Sequence, residues 1–275
     1  MLIEATDLAL ALPDFSKKRP FRPAPTVEIL KGLTFAIRRG QTVGIVGRSG
    51  CGKSTLGRTL VRLHAPTGGR LTFNGTDITE LDAADLRPLR RDLQVIFQDP
   101  LSALNPRRTI AAIVADPLQL HDVADAPTRA REALDAVGLG RPFLGRYAHE
   151  LSGGQRQRVG IARAIALRPK FIFADEIVSG LDTSTQAQVI ALLRALQKEL
   201  RLTLAFVSHD LSVVRHLCDT VMVMAAGQIV ERGPTARVFD DPQHAETKAL
   251  KAAIPLPEVD RDWLGAPLRP AAAVI

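Results

Sequence analysis

Gly47-Arg48-Ser49-Gly50-Cys51-Gly52-Lys53-Ser54-Thr55 fits the pattern G-x-x-x-x-G-K-[ST], a glycine-rich loop able to cradle phosphates. Such a loop has meaning only between a strand and a helix, and both are legible around it. Residues 42–46, Thr-Val-Gly-Ile-Val, form a short β-branched run suited to a strand buried on both faces. Residues 53–64 carry Leu56, Leu60 and Leu63 at helical spacing, and Ala65-Pro66-Thr67-Gly68-Gly69 stops them. Glycines let the backbone bend until successive N–H groups face the β- and γ-phosphates, and the helix N-terminus adds its positive dipole end. Lys53 supplies a point charge, and Ser54 offers a hydroxyl to Mg²⁺, a cation that prefers hard oxygen ligands.

Outward from the loop, Leu33, Phe35 and Ile37 alternate with Thr34, Ala36 and Arg38, so an antiparallel sheet is expected to begin there. Further strands are expected at residues 70–73, closed by Asn74-Gly75, and at 93–97. Between about 109 and 151 the spacing turns helical, with Ile110, Ile113 and Val114 in one segment and Ala130, Leu134 and Val137 in another. Strands return at 171–174, 203–207 and 220–224, separated by helical patterns at 185–200 and 211–218, which implies a largely parallel sheet. After Gly233-Pro234 the regular pattern is expected to fade, and the Pro- and Ala-rich tail from Ile254 to lack order.

The chain has 275 residues, 46% hydrophobic and 24% charged, the composition of an ordinary globular protein. Its longest apolar stretches fall far short of the roughly 20 residues that span a bilayer. The N-terminus MLIEATDLAL has no basic n-region, so no export is expected. Cys51 and Cys218 are the only cysteines, which excludes a disulfide framework and leaves both as packing residues. Lys and Arg exceed Asp and Glu by 36 to 29, a net charge of +7 that suits nucleic acid or an anionic membrane. The basic residues are scattered in pairs such as Arg38-Arg39 and Arg90-Arg91, the distribution of a solvated surface. The densest run, Lys17-Lys18-Arg19 with Arg22, reads as a surface loop.

A second site follows from residues 171–176, Phe-Ile-Phe-Ala-Asp-Glu, an apolar strand ending in two carboxylates. Asp175 at the strand end would hold Mg²⁺ through water beside the glycine loop. Glu176 would polarise the attacking water, a role in which a carboxylate is worth roughly 10²–10⁴ in rate. A third element, Leu151-Ser152-Gly153-Gly154-Gln155-Arg156-Gln157-Arg158, stands ahead of a helix with Val159, Ala162, Ile165 and Ala166 on one side. Ser152 reads as its N-cap, and two glycines expose N–H groups able to hold a γ-phosphate.

This LSGGQ string resembles the ABC transporter signature sequence, and the resemblance covers roughly residues 2–255. It implies an α/β fold: a P-loop NTPase with a RecA-like core, an antiparallel β subdomain and a helical signature subdomain. The ATPase domain would be residues 1–255, with the helical part at about 98–168 and a tail at 256–275. The resemblance also implies ATP and Mg²⁺ as cofactors, and a head-to-tail pair with a second ABC ATPase subunit, identical or related. In that pair Ser152, Gly153, Gly154 and Gln155 close over the ATP held by the partner. Gln98 resembles the Q-loop glutamine that joins the Mg²⁺ and water site to the helical insert. Asp182 resembles the D-loop aspartate at the dimer contact, and His209 the switch histidine on the γ-phosphate. Catalysis is thus expected from Glu176, His209, Gln98 and Lys53, and metal ligation from Ser54, Gln98 and Asp175.

Within ABC proteins the strings Phe97-Gln98-Asp99-Pro100, Ser102-Ala103-Leu104-Asn105-Pro106-Arg107 and Thr185-Gln186-Ala187-Gln188-Val189 are most similar to ATPase subunits of oligopeptide, dipeptide and nickel importers. This implies integral membrane permease partners, an indirect link to a substrate-binding protein, no nucleic acid, and a peripheral place on the cytoplasmic face of the inner membrane. The departures are Ile177 for the usual proline, Gly180 for the usual alanine, and His244-Ala245-Glu246-Thr247 for His-Pro-aromatic-Thr. Leu12 falls where an aromatic residue should stack on adenine. Phe15 or Phe21 could substitute, and the contact stays open. The alternative is an ABC ATPase acting on nucleic acid or ribosomes, but such proteins usually carry two cassettes or a long coiled-coil insert.

Overall fold

The computed structural model describes residues 1–18 and 22–253. Two sheets organise the described residues. In the antiparallel one, β1 (Ile3–Pro13) pairs with β2 (Thr26–Ile37) and with β4 (Gly68–Phe73), and β5 (Thr76–Asp77) closes the edge. Asn74 and Gly75 both take positive φ, 53° and 83°, the tight hairpin turn expected of that dipeptide. The antiparallel sheet therefore starts at Ile3, well before the expected residue 33. Register shifts after Ala5, Leu8 and Leu10, with Asp7 at φ 50°, break the alternation that would have revealed β1 in the sequence.

The second sheet has the order β10-β9-β3-β8-β7-β6. Its parallel strands are β3 (Thr42–Val46), β6 (Leu93–Ile96), β7 (Phe171–Asp175), β8 (Thr203–Val207) and β9 (Thr220–Ala225), and β10 (Gln228–Pro234) adds antiparallel to β9. β3, β7 and β8 are buried along their whole length, as continuous apolar runs covered on both faces require. Residues alternate between two cores. Phe171 and Phe173 face one cluster with Leu56, Leu60 and the inner residues of β1 and β2, while Ile172 and Ala174 face the other.

The first core is centred on α1 (Lys53–Leu60), which lies between the two sheets. The helix is shorter than the expected 53–64, and Leu63 is exposed. Arg62 takes φ 56°, and its buried guanidinium donates to the carbonyls of Ile78 (2.6 Å) and Leu81 (2.8 Å), so the chain turns out of the helix to satisfy them. α2 (Ala83–Arg90) follows, capped by Asp82.

The second core holds α4 (Ile110–Leu120), α5 (Ala126–Ala136) and α6 (Gly153–Ile165), and the short α3 (Pro100–Ala103) lies against α6. α4 packs on α5, both pack on α6, and α6 packs on β6. Ile110, Ile113, Val114, Ala130, Leu134 and Val137 are buried where their helical spacing put them. α7 (Thr183–Glu199) and α8 (Leu211–Leu217) cover the same sheet face. Order does not fade after Pro234: α9 (Thr235–Asp240) and α10 (Ala245–Ala252) follow β10. Neither has Ser, Thr, Asp or Asn at its N-cap, since Pro234 and His244 stand there, so the usual capping residue is missing from both starts. The tail at 256–275 lies outside the described residues.

Candidate nucleotide site

β3 delivers the glycine loop to the C-terminal edge of the parallel sheet. Gly47 has φ 151°, and a Cβ there would stand 2.3 Å from the Met224 carbonyl oxygen, so only glycine passes under β9. Gly52 is left-handed at φ 104° and opens α1. The Gly227 N–H donates to the Cys51 carbonyl (3.2 Å), which ties the loop to the β9–β10 turn. Both thiols, Cys51 and Cys218, are free and buried, and burial raises the pKa of each. Lys53 is 6% exposed, and its ammonium donates to the carbonyls of Gly47 (2.8 Å) and Arg48 (3.0 Å). A buried cation held by two carbonyls faces a ready exchange of partner when phosphate oxygens enter the loop.

Ser54 and Asp175 meet. The Ser54 hydroxyl donates to Asp175 Oδ1 at 2.7 Å, and the Arg58 guanidinium lies 3.6 Å from Oδ2. Asp175 is buried at the end of β7, and this burial pushes its pKa above the ordinary carboxylate value. Two hard oxygens from different elements stand side by side, one on a buried carboxylate that a cation would stabilise in its charged form. That donor set fits Mg²⁺ with phosphate oxygens completing the shell. Arg58 was not foreseen, although it sits four residues after Ser54 on the same face of α1.

Glu176 follows in the left-handed region at φ 48°, its N–H donating to the Val207 carbonyl (3.1 Å). Its Oε2 accepts from Gln98 Nε2 at 3.1 Å and lies 3.7 Å from His209 Nδ1. Gln98, Glu176 and His209 thus converge from the ends of β6, β7 and β8. Ser179 supports the group: Gln98 Nε2 reaches its hydroxyl (3.4 Å), which donates to the Glu176 carbonyl (2.8 Å). A 100 Å³ cavity beside it is lined by Glu176, Ser179, Gln186, His209 and Asp210, among others. The side chain at Ile177 is buried in the core, and Gly180 at φ 76° has open space around its Cβ position.

The signature string opens α6 through a capping box. The Gln155 N–H donates to Ser152 Oγ (3.3 Å), and the Ser152 N–H to Gln155 Oε1 (3.0 Å). A Cβ on Gly154 would come 2.3 Å from Thr185 Cγ2, and one on Gly153 3.5 Å from Leu181 Cδ2. Gly154 lets the start of α6 approach α7 closely, whereas a Cβ at Gly153 would make only an ordinary contact with Leu181. Asp182 caps α7, accepting from the Thr185 N–H (2.9 Å) and hydroxyl (2.6 Å), and these bonds pull its pKa down to about 2. Of the adenine candidates, Leu12 is half-buried opposite Val27 and Phe15 is largely exposed, while Phe21 lies outside the described residues.

A parallel sheet with a glycine loop after its central strand and a carboxylate pair after a nearby one defines a P-loop nucleotide-binding protein. The ABC transporter family model matches residues 30–179. A putative oligopeptide transport ATP-binding protein of Bacillus subtilis, YkfD, is 47% identical over 94% of this chain and 77% of its own length. The oligopeptide transport ATP-binding protein OppF of the same organism is 47% identical over 86% of this chain and 80% of its own. Among solved structures, the dimeric post-hydrolysis state of the ATP-binding cassette MJ0796 bound to ADP and Pi superposes with TM-score 0.74 at 29% identity, covering 85% of this chain and 99% of that one. CbiO1 of Clostridium perfringens, part of the transporter complex CbiONQ, gives 0.76 at 28% identity, covering 87% and 91%. The chain belongs to the ABC transporter family and is an ABC ATPase.

Proposed function

We propose that the chain energises import of peptides, since its relatives are named as ATP-binding proteins of oligopeptide transport and of peptide import. The observation that carries the catalytic half is the meeting of Ser54 with Asp175 next to the group of Gln98, Glu176 and His209. ATP phosphates lie in residues 47–55, where Lys53 exchanges its two carbonyl partners for phosphate oxygens and the N–H groups at the start of α1 face the same charge. Ser54 and Asp175 would hold Mg²⁺, with Gln98 as the further ligand that the family resemblance implies. When bound, Mg²⁺ neutralises charge on the β- and γ-phosphates. Glu176 accepts a proton from the attacking water, Gln98 orients the carboxylate, and His209 contacts the γ-phosphate.

Ser152, Gly153, Gly154 and Gln155 cover the ATP of a second cassette, and Asp182 lies at that contact. MJ0796 is a dimer in its solved structures, which supports a pair here. No helix among the described residues is long and apolar enough to cross a membrane. Permease subunits supply the crossing, and the region at about 98–150, within a helical unit at about 98–168 of a domain at 1–255, docks them on the cytoplasmic face. Nickel or a similar solute remains the second reading, since the same strings resemble importers of both.

The test is to co-purify the chain with its membrane partners in vesicles and to measure ATPase stimulation by substrate-binding protein loaded with peptide or with nickel. Peptide stimulation supports the proposal. Stimulation by nickel alone refutes the peptide assignment, and co-purification with ribosomes or DNA and no membrane protein refutes transport.

A further inference from the structure

We propose that Glu246, on the C-terminal helix α10, is a positioning residue that holds the glycine loop in its nucleotide-ready shape through Arg48. The inference rests on the reading that residues 47–55 bind ATP, and adds a group that acts on that site from outside it.

Arg48 is the first residue after Gly47 in the loop. Its Nε lies 2.7 Å from Glu246 Oε1, and the Glu246 side chain is only 20% exposed. Arg48 is also bonded through its backbone: its carbonyl accepts from Lys53 Nζ (3.0 Å) and from the Cys51 N–H (3.3 Å). One residue thus joins the lysine that meets the phosphates to a helix nearly two hundred positions further along the chain.

That helix is firmly placed. Both oxygens of Glu231, on β10, accept from the N–H groups of Gln243 and His244, each at 3.0 Å, and hold the segment just ahead of α10. His244 caps the helix by accepting from the Glu246 N–H through Nδ1 (3.1 Å). An acidic residue in a first turn is favoured there by the helix dipole. β10 pairs with β9, and β9 with β3, the strand that ends in the loop. The route Glu231, α10, Glu246, Arg48 therefore closes a ring with β10, β9 and β3, and the loop is held from both ends of that ring.

An exposed ion pair alone contributes little, because water solvates both partners. Here the carboxylate is 20% exposed and its helix is anchored, while the Arg48 side chain is 68% exposed, so the pair is half-covered and a modest effect is expected. Without Glu246 the Arg48 side chain is released, and the backbone just after Gly47, whose N–H groups face the phosphates, loses its tie to α10. The effect falls on nucleotide affinity and leaves the groups around Glu176 in place.

The experiment is steady-state ATP hydrolysis with MgATP titration on purified full-length chain. Glu246→Gln is expected to raise KM for ATP about two- to fivefold, the range of a single exposed or half-covered ion pair, with kcat within about twofold of the parent. Arg48→Glu should raise KM further, and the reversed pair Arg48→Glu with Glu246→Arg should return it to within about twofold of the parent. Lys251→Gln, a charge change elsewhere on α10, serves as the control and should leave KM where it is. A lowered or unaltered KM in Glu246→Gln overturns the proposal, as does a reversed pair no better than Arg48→Glu alone. Lys53→Ala separates the two ideas: nucleotide binding that survives it defeats the loop assignment, whereas its loss alongside parental KM in Glu246→Gln defeats only the role of Glu246.

Discussion

Gly57 lies in the middle of α1 and faces Phe173 on β7. A Cβ at Gly57 would stand 1.9 Å from Phe173 Cε2, 2.0 Å from Cζ and 2.3 Å from Cδ2. Ordinary carbon contacts begin near 3.4 Å, so ring and helix must separate by about 1.5 Å (3.4 − 1.9). The ring cannot swing aside, because Phe173 is 0% exposed on a strand flanked by β6 and β8. Gly57→Ala gains about 1 kcal/mol of helix propensity. Forcing a methyl into a packed core costs about 3 kcal/mol or somewhat more at this overlap. The net loss is about 2 kcal/mol, a fall in melting temperature of about 4–8 °C for a chain of this size. The displacement is transmitted to Lys53 and Ser54 at the start of the same helix, where a misplacement of about 1 Å can cost 10²-fold in rate. Calorimetry and phosphate release on the same preparation would measure both effects. Adding Phe173→Leu should recover part of each. A Gly57→Ala protein with parental stability and parental turnover would refute the packing argument.

Four further outcomes are expected. Glu176→Gln keeps the shape and the Gln98 contact but removes the charge, so kcat should fall about 10²–10⁴-fold while ATP binding survives; turnover within tenfold of the parent removes Glu176 as the base. In Asp175→Asn the Ser54 hydroxyl keeps an acceptor. Burial raises the Asp175 pKa above its ordinary value, so its charged form costs stability in the nucleotide-free parent and the variant should melt higher wherever the parent carboxylate is ionised. That advantage should shrink as pH falls through the raised pKa towards the ordinary value of about 3.9, and an advantage constant from pH 7 to 4 contradicts the assignment. Chelation of Mg²⁺ should abolish hydrolysis and its return should restore it, with calcium as the discriminating control in a phosphate-release assay. Ser152→Ala breaks one arm of the capping box and should destabilise the chain by about 1 kcal/mol in urea, with ATP-dependent dimerisation weakened in light scattering.

The residues that announced themselves did so because their chemistry is local. The glycine loop needs β3 before it and α1 after it, and all three are continuous in sequence, so their reading survived folding almost unaltered. Asp175 and Glu176 were legible for the same reason, as a polar end to an apolar strand. The meeting of Gln98 with Glu176 depends on strands 78 positions apart and was expected only from family resemblance. Arg58 and Glu246 escaped notice because each acts through a partner distant in sequence, and Ser179 because its bond to Gln98 spans 81 positions although its bond to the Glu176 carbonyl is local. β1 escaped because its bulges spoil a period of two, and α9 and α10 because their caps are a proline and a histidine.

The position of β3 between β8 and β9 also bears on how the protein is made. The ribosome delivers the glycine loop early, yet its supporting strand finds its two neighbours only after residues 203–207 and 220–225 have emerged. Until then β3 has two unpaired edges, and the carbonyl of Met224 that crowds Gly47 does not exist in the nascent chain. Pairings so far apart in sequence form late. ATP affinity should therefore appear abruptly during synthesis, after about residue 227, and a chain arrested earlier would carry the complete phosphate loop with no place to hold a phosphate.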